Sequence, residues 1–281
     1  MNRSDDTKNK IPCSVAVLTL NSSGTLRRCL DSVKDFAQIV VCDGNSTDDT
    51  LAIAREYGST IVKQYESDEP NLSCVRDKAN VRNKALGTSH YDWHIYLDSD
   101  DALSPEVVAE IKQITSDIEL PYLVYSMPLR IIIGGDRVIQ YSSNYPYRQL
   151  RLFHKSTGAR FRGTVHERIQ FDREKYPVGM LQGYYDNHWS VGRLHNIFAY
   201  MRSYARWEGE EWKRTSFFSF VKSFFRPLRS AARVLLLSLW NYLRHGFARS
   251  MPLRVELARL QYQLYLAWLM AKKQFGHVDT Q

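Results

Sequence analysis

The first hundred residues alternate between mostly apolar runs and segments with helical spacing. Segment 26–33, for example, has apolar residues at positions 26, 29, 30 and 33, which is the period of an amphipathic helix. The apolar runs look like strands buried on both sides of a sheet; they are CSVAVLTL (13–20), QIVVCD (38–43), TIVKQ (60–64) and WHIYLD (93–98). This alternation predicts a doubly wound, mostly parallel α/β sheet, which binds ligands beyond the carboxyl ends of its strands.

The pattern changes after about residue 122. Shorter β-like pieces separated by glycine turns continue to about residue 192 and predict a mixed extension of the same sheet. From residue 193 onward the pattern is almost wholly helical, with breaks at Pro227 and around 246–252. We therefore predict a flexible tail (1–10), an α/β domain (11–192) and a helical C-terminal region (193–281).

Charge is unevenly distributed along the chain. Residues 193–281 contain 15 Lys and Arg against five Asp and Glu, whereas residues 1–192 contain 23 against 25. A strongly basic region beside a near-neutral domain predicts an anionic partner, either nucleic acid or membrane phosphate.

The cysteines, the N-terminal residues and the apolar runs indicate whether the protein is exported. The four cysteines have no metal-binding or redox spacing, and Cys13 and Cys42 lie in apolar runs, as expected of buried thiols in a reducing environment. Residues 1–10 lack the apolar segment of a signal peptide, and no apolar run approaches the ~20 residues of a membrane span. We therefore expect a protein that is not exported.

The run WHIYLDSDD (93–101) ends in three closely spaced carboxylates, Asp98, Asp100 and Asp101. Because like charges repel, either the turn is solvated or a cation lies among them. Asp98 and Asp100 offer the hard oxygen ligands that Mg²⁺ and Mn²⁺ prefer, and such an ion would neutralise a diphosphate leaving group. Short acidic turns are common, so the pair alone favours the solvated alternative.

Four motifs change this balance when they are taken together: SVAVLTLN (14–21), IVVCDGNSTDDT (39–50), VRNKAL (81–86) and IYLDSDD (95–101). With these motifs the chain resembles glycosyltransferase family 2, whose members use nucleotide sugars and have the GT-A fold. The resemblance covers about residues 12–190. It implies a Rossmann-like, mostly parallel sheet with a mixed extension as the catalytic domain (11–192), and it is closest to the lipopolysaccharide core glucosyltransferases of bacteria.

The resemblance implies a set of nucleotide-sugar-binding residues: Thr19, Asn21, Asp43, Arg82, Asn83 and Asp98. In this set Thr19 and Asn21 match the first nucleotide-binding loop, and Asp43 matches the aspartate that contacts the base. Asp98 would face the ribose or the ion, and Asp100 would bind the ion directly. We expect Asp101 only to support the turn.

Two further positions are implied by the stretch FRGTVHERI (161–169). Glu167 matches the catalytic base, and one carboxylate is enough for an inverting transferase because no covalent intermediate is formed. Gly163 would let the backbone approach the sugar closely and belongs to the donor-binding set. The alternative for Glu167 is a surface salt bridge to Arg162 or Arg168.

Arg151 and His188 each admit two interpretations. Arg151 would bind a diphosphate oxygen through its planar fork of donors, and a structural ion pair fits equally well. His188 resembles the late histidine that serves as a further metal ligand beside Asp98 and Asp100. The alternative for His188 is a packed, hydrogen-bonded side chain.

The C-terminal region contains an amphipathic pattern. Lys222, Arg226, Arg229 and Arg233 are spaced so that they share one helical face, and apolar side chains (Phe217, Phe220, Val221, Phe224, Leu228, Ala231 and Leu235) lie opposite. Together with Trp240, this pattern predicts a helix at an anionic membrane surface. The alternative is that the helices pack on the catalytic domain or on a second copy of the chain.

The sequence thus predicts an inverting, Mn²⁺- or Mg²⁺-dependent glycosyltransferase. It would move a hexose from a nucleotide diphosphate sugar, UDP-linked by preference, to a lipid-linked glycan or lipopolysaccharide core at the cytoplasmic face of the inner membrane. We expect no nucleic-acid partner and leave homo-oligomerisation open. One alternative is a GT-A-like nucleotidyltransferase, although NSSGTLRR (21–28) poorly matches its glycine-rich loop; another is a non-enzymatic binder of anionic polymers, which would interleave aromatic and basic residues.

Overall fold

The computed structural model describes residues 10–74, 76–117, 119–144, 147–164 and 167–275. The predicted flexible tail therefore lies outside the described residues except for Lys10. The chain forms two compact units. The first contains the described residues up to Arg130 and those of Tyr147–His188, and the second contains the described residues of Ile131–Pro146 and Trp189–Gln281.

The first unit begins with the predicted alternation of strands and helices. Its first part consists of β1 (Ile11–Thr19), α1 (Ser23–Val33), β2 (Phe36–Asp43), α2 (Thr50–Glu56), β3 (Thr60–Lys63), α3 (Lys78–Gly87), β4 (Trp93–Asp98), β5 (Asp101–Leu103) and α4 (Pro105–Ser116). Its second part consists of β6 (Val124–Ile133, which ends in the second unit), β8 (Arg148–His154), a 3₁₀ turn (Lys155–Thr157), β9 (Arg160–Arg162), β10 (Arg168–Gln170), β11 (Val178–Met180) and β12 (Tyr185–Trp189, whose last residue lies in the second unit). β7 (Arg137–Ile139) belongs to the second unit.

The main sheet is parallel at one end and mixed at the other. Its strand order is β3-β2-β1-β4-β8-β6-β12-β5, and the first four strands are parallel. β8 runs antiparallel to both β4 and β6, and β12 runs antiparallel to β5. The predicted mostly parallel α/β sheet with a mixed extension and C-terminal helices is therefore confirmed.

Helices cover both faces of the parallel part. On one face Val15 and Val17 of β1 pack with Leu26 and Leu30 of α1. On the other face Ala16 and Leu18 pack in a second cluster with residues of β2 and α3, namely Val40, Cys42, Val81 and Ala85. This two-sided burial explains why β1 is a continuous apolar run rather than an alternating one.

The described residues of the second unit are mainly helical, with β7, the end of β6 and the last residue of β12 as its β structure. Its helices are α5 (Val191–His195), α6 (Ile197–Glu211), α7 (Phe217–Arg249) and α8 (Leu253–Phe275). Pro227 lies inside α7 without ending it, whereas Gly246 has a φ of 76° and interrupts its last turns. The predicted break at 246–252 is confirmed, and the predicted break at Pro227 is not.

The described residues 131–144 group with this unit, whereas the sequence placed them in the α/β domain. The reason is hydrogen bonding to the helical region. Gln140 and Met251 form backbone hydrogen bonds with Arg249 and Tyr141, respectively, and both the amide and the hydroxyl of Ser143 donate to the buried Glu256 carboxylate. These contacts join residues that are about 110 positions apart, so no local pattern signals them.

Helix α7 has three faces when residues are stepped at 100° each. The packed face, which meets α8 side chains such as Leu266 and Met270, is Phe220, Pro227, Ala231, Val234 and Ser238. The exposed apolar face is Phe218, Phe225, Leu236, Leu239 and Leu243. The basic face is Lys222, Arg226, Arg229 and Arg233, all of them exposed, with the exposed Trp240 on the same side.

The predicted apolar face of this helix needs correction. Phe220 and Ala231, which the sequence places among the membrane-facing residues, are buried inside the helical unit. The apolar side chains that remain exposed lie between the packed face and the basic face. No helix within the described residues has a stretch that is both long and apolar enough to cross a bilayer.

Candidate active site

Three predicted site residues lie at one edge of the parallel sheet. In the strand register Thr19 of β1 pairs with Asp43 of β2, and Leu18 of β1 pairs with Asp98 of β4. The strand order reverses at β1, because β2 and β3 lie on one side of it and β4 on the other. This edge is the switch point at which open α/β sheets bind ligands.

Asp43 is buried and organises the loop that follows β2. Its Oδ1 accepts hydrogen bonds from Thr19 Oγ1 (2.7 Å) and Ser46 Oγ (2.6 Å), and its Oδ2 accepts one from the Ser46 amide (2.7 Å). The side chains of Thr19 and Asp43 thus bind each other and this loop. The predicted nucleotide contacts of both residues stay predictions.

Asn21 is the exposed polar side chain of the same edge. Its Nδ2 donates to Asn71 Oδ1 (2.8 Å), its Oδ1 accepts from the Thr47 amide (2.9 Å), and its own amide donates to Ser46 Oγ (2.8 Å). Its φ of 47° lies in the left-handed region that Asn tolerates. Asn21 therefore joins three loops at the surface, and its role in nucleotide binding stays a prediction.

Gly44 occurs where two backbone segments approach each other closely. The Leu72 amide donates to the Gly44 carbonyl at 2.8 Å, and a Cβ on Gly44 would lie 2.3 Å from the Leu72 carbonyl oxygen. Asn45, with a φ of 59°, donates its side-chain amide to the carbonyls of Ser67 and Glu69. Gly44 and Asn45 together thus bring the 67–72 segment beside this loop.

The acidic turn is attached to the loop that follows β1. Ser22 Oγ donates to Ser99 Oγ (2.8 Å), and the Asp98 amide donates to Asp101 Oδ2 (3.0 Å). Asp101 is buried, and its other oxygen accepts from Asn187 Nδ2 (2.8 Å). Burial, together with the Asp98 and Asp100 charges, raises the pKa of Asp101 to about 6 against the opposing effect of Arg151.

Arg151 is the buried cation that faces Asp101. Its Nη2 lies 3.2 Å from Asp101 Oδ2, and its Nη1 donates to the Tyr96 carbonyl (3.0 Å). The guanidinium carbon lies 4.6 Å from the Tyr96 ring centroid and 4.4 Å from that of Tyr185. Arg151 thus forms a buried structural ion pair, as the alternative from the sequence expected, and its predicted diphosphate contact stays a prediction.

Arg82 connects two predicted site carboxylates. Its Nη2 donates to Asp98 Oδ1 (2.7 Å), and its Nε donates to Glu167 Oε1 (3.1 Å). The Arg82 side chain is 3% exposed, compared with 35% for Asp98 and 14% for Glu167. Arg82 is therefore a buried bridge between the two carboxylates, and its predicted role in binding the nucleotide sugar stays a prediction.

The bridge affects both of its acidic partners. Burial disfavours ionised Asp98, but the charges of Arg82, Lys78 and Arg151 together with the Arg82 hydrogen bond outweigh it and lower the pKa of Asp98 well below its usual range. Glu167 pairs with Arg82 in the interior and not with Arg162 or Arg168 at the surface, as the alternative from the sequence expected. The catalytic role of Glu167 stays a prediction, now with a defined position relative to Asp98.

Asn83 anchors the segment that precedes Glu167. Its Nδ2 donates to the Phe161 carbonyl and its Oδ1 accepts from the Phe161 amide, both at 2.9 Å. Both ends of the amide hold this segment in place, and the predicted donor contact of Asn83 stays a prediction. Gly163 has a φ of 102°, a region that favours glycine, and its predicted contact with the donor stays a prediction.

Asp100 and His188 are adjacent through their backbones. The His188 amide donates to the Asp100 carbonyl (2.9 Å), and within the described residues the buried His188 Nδ1 has no hydrogen-bond partner. Burial, followed by the Arg28 charge, lowers the pKa of His188, which favours the neutral ring that metal ligation requires. Among the described residues no group of three or more His, Cys, Asp and Glu side chains is arranged to hold an ion.

Two residues important to this site were missed in the sequence. Ser46 holds Asp43 by two hydrogen bonds, and a serine three positions after an aspartate is a detectable turn signal. Tyr96 lies 4.6 Å from both the Arg82 and the Arg151 guanidinium carbons and donates its hydroxyl to the Leu150 carbonyl. No signal in the sequence distinguishes Tyr96 from any other aromatic residue of a buried strand.

Comparison with known proteins identifies relatives among glycosyltransferases. The chain is 32% identical over 126 residues to an uncharacterized glycosyltransferase of Rickettsia prowazekii, covering 44% of this chain and 40% of the relative. It is 28% identical over 174 residues to one of Rickettsia typhi, covering 60% and 56%. The matches thus span about half the length of these relatives.

Solved structures overlap the chain more loosely. The TarS protein of S. aureus (residues 1–349) is 16% identical to this chain. The match covers 95% of this chain and 92% of the TarS chain, with a TM-score of 0.43. The glucosyl-3-phosphoglycerate synthase of Mycobacterium tuberculosis, solved with Mn²⁺ and uridine diphosphate, is 20% identical over 46% of each chain, with a TM-score of 0.31.

The family model described as glycosyl transferase family 2 matches residues 14–173. This range runs from β1 to the residues after β10 and includes Asp43, Arg82, Asp98 and Glu167. It covers more than half of the chain, and the chain therefore belongs to glycosyltransferase family 2.

Proposed function

We propose that this protein is an inverting glycosyltransferase that moves a hexose from a nucleotide diphosphate sugar, UDP-linked by preference, to a hydroxyl group of a lipid-linked glycan. A lipopolysaccharide core is one acceptor of this class. Membership of the family supports the reaction class. The basic helical unit supports an acceptor held at the cytoplasmic face of the membrane.

One observation carries the proposal: the Arg82 guanidinium joins Asp98, on the donor side of the site, to Glu167. A single guanidinium group therefore lies between the predicted base and the strand end at which the donor would bind. In the reaction the Glu167 carboxylate takes the proton of the acceptor hydroxyl, whose oxygen attacks the anomeric carbon. The bond from that carbon to the diphosphate oxygen breaks, and the diphosphate leaves with the electron pair.

The residues at the acidic turn are of the types that ligate a divalent cation. Asp98 and Asp100 supply hard oxygen ligands, and the unpartnered, buried His188 Nδ1 is a nitrogen that an ion would satisfy. Sites of this kind need only one or two carboxylates, since substrate phosphates complete the coordination. Mn²⁺ or Mg²⁺ held by Asp98, Asp100 and His188 would neutralise charge on the diphosphate leaving group.

The test of the activity is a screen of UDP-, GDP- and dTDP-linked hexoses with Mn²⁺, with release of nucleoside diphosphate as the readout. We expect release with one donor, loss of release with EDTA, and loss in Glu167→Gln while the nucleotide still raises the melting temperature. Release of nucleoside monophosphate instead would indicate a different bond cleavage and would refute glycosyl transfer.

Glu174→Gln is the matched control for the base. Glu174 is an exposed glutamate seven residues along the chain, and the same loss of charge there should leave turnover unchanged. If Glu167→Gln turns over as fast as Glu174→Gln, Glu167 is not the base.

The helical unit supports attachment to an anionic bilayer. The exposed apolar face of α7 and its basic face adjoin each other along one helix, which is the arrangement of interfacial helices. Each basic group near such a surface contributes about 1 kcal/mol. Arg226 is already paired with Glu208 at 3.0 Å, so the four basic residues together should contribute about 3–4 kcal/mol.

Liposome sedimentation tests this attachment. Replacing the four residues of the basic face with Gln should weaken binding to phosphatidylglycerol vesicles by about two to three orders of magnitude. The control replaces four exposed basic residues of the first unit with Gln, namely Lys34, Arg55, Lys112 and Lys175. Equal binding of the two variants would refute the proposal, and a dimer that persists at low concentration would assign the apolar face to a second copy.

A further inference from the structure

A groove in the second unit lies between α6 and α8 and has a volume of about 730 Å³. We call it the α6–α8 groove. It is lined by Phe198, Arg202 and Arg206 from α6 and by Leu257, Leu260, Gln261, Leu264 and Tyr265 from α8. Its volume falls in the range of small-molecule sites.

The lining combines an apolar wall with two cations. Leu257 and Leu264 remain about half exposed, at 45% and 48%, although they lie on the wall of the groove. They are seven residues apart, so the wall extends about 10 Å along α8. Such a strip favours an apolar chain, because burying it removes leucine surface from water.

The two cations, Arg202 and Arg206, lie on the α6 side of the groove. Arg202 and Arg206 are four residues apart on α6 and therefore share one face of the helix. Both are exposed, and within the described residues neither guanidinium forms an ion pair with a carboxylate. The groove lining contains no acidic residue. Two adjacent guanidinium groups without a carboxylate partner suit a phosphate group.

The apolar wall continues toward α7. A smaller cavity of about 160 Å³ shares Leu257 and Leu260 with the groove and is also lined by Leu235 and Leu239 of α7. Leu239 belongs to the exposed apolar face of α7, for which we proposed contact with the bilayer. An apolar chain that leaves the bilayer at α7 therefore meets a continuous leucine surface leading to the groove.

We propose that the α6–α8 groove binds one anionic amphiphile, with its chain along Leu257, Leu260 and Leu264 and its phosphate group at Arg202 and Arg206. The assignment of this amphiphile as the lipid part of the acceptor rests on the proposed function. The binding site itself does not.

Calorimetric titration of the full chain with dodecyl phosphate, kept below its micelle concentration, tests the site. We expect saturable binding of one dodecyl phosphate per chain. Inorganic phosphate lacks the chain and dodecyl maltoside lacks the charge, so each should bind at least about tenfold more weakly. Equal affinity for either comparator would overturn the proposal.

Variants test whether dodecyl phosphate binds in the groove or on another surface. Arg202→Gln with Arg206→Gln should weaken dodecyl phosphate about tenfold or more and leave dodecyl maltoside unchanged. The control, Lys112→Gln with Lys175→Gln, removes two exposed cations of the first unit and should bind as the wild type does. If Arg229→Gln with Arg233→Gln, on the basic face of α7, weakens binding and the groove variant does not, the ligand lies on α7.

Filling the groove provides a second test. Leu264→Trp adds bulk at a half-exposed position and should abolish dodecyl phosphate binding, whereas Leu236→Trp, on the exposed apolar face, should not. Unchanged affinity in Leu264→Trp would overturn the proposal, and a change in molecular mass on sedimentation would assign the groove to a second copy of the chain. Circular dichroism establishes that each variant is folded.

The two proposals fail in different ways. Donor hydrolysis is measured without lipid, so intact hydrolysis with no dodecyl phosphate binding refutes the groove alone. Intact, Arg202- and Arg206-dependent binding with no hydrolysis of any donor refutes the enzymatic proposal and leaves the lipid site standing.

Discussion

Replacing Arg82 with methionine removes the bridge between Asp98 and Glu167 and keeps a side chain of similar length. The two hydrogen bonds of 2.7 Å and 3.1 Å are lost, and Glu167, which is 14% exposed, keeps a carboxylate with no cation beside it. The contact between the guanidinium and the Tyr96 ring, 4.6 Å from its centroid, is lost as well.

The expected loss of stability follows from burial. Removing one partner of a buried ion pair costs about 3–5 kcal/mol, because a charge remains without compensation. Asp98 is 35% exposed and water partly solvates it, so we expect a value near the lower end, about 3 kcal/mol. That is a large fraction of the stability of a typical domain.

Urea unfolding of the full chain, followed by the circular dichroism of its helices and by tryptophan fluorescence, measures this loss. The variant Arg82→Met/Asp98→Asn/Glu167→Gln, which has no unpaired charge, should regain much of the stability. Arg27→Met is the control: its ion pair with Glu56 is about half exposed on both sides, and its removal should change stability little. A loss below about 1 kcal/mol in Arg82→Met, or no recovery in the triple variant, would show that the bridge is not what holds these elements together.

Two further predictions concern stability. Gly44→Ala should destabilise the protein by about 1–3 kcal/mol, because its Cβ would lie 2.3 Å from the Leu72 carbonyl oxygen. The control Gly24→Ala has open space around the new Cβ and should be neutral or stabilising. Equal melting temperatures of the two variants would contradict this prediction. Burial lowers the pKa of His94 to about 3, so the unfolded chain binds its proton first as the pH falls from about 6.5 toward 3. The free energy of unfolding should then decrease by up to about 1.4 kcal/mol per pH unit. In urea titrations at several pH values, His94→Gln should lose this contribution to the dependence of the unfolding free energy on pH. The same dependence in His94→Gln and in the wild type would mean that the buried ring becomes protonated.

The local sequence was sufficient to predict the parallel sheet and the edge where the site lies. The continuous run of β1 and the helical spacing of α1 depend only on neighbouring residues, and a strand buried on both faces leaves a periodic signature. Because β1, β2 and β4 end in the polar residues Thr19, Asp43 and Asp98, the sequence also indicated which edge would carry the chemistry.

Such local patterns could not predict which side chains the site residues contact. Arg82 and Glu167 are 85 residues apart, and Arg151 and Asp101 are 50 apart, so only the packing of distant strands brings these charges together. An arginine near a predicted diphosphate and an arginine inside a buried ion pair look the same in the sequence.

The amino-acid sequence by itself determined the α/β core, the position of the site and the presence of apolar and basic faces on α7, since each depends on periodicity along the chain. Only the tertiary structure decided which apolar face of α7 is packed and which is exposed, and which carboxylate each buried arginine neutralises. Burial and ion pairing depend on side chains that are distant in sequence, and the free energy of a buried charge is set by the neighbours that the fold supplies.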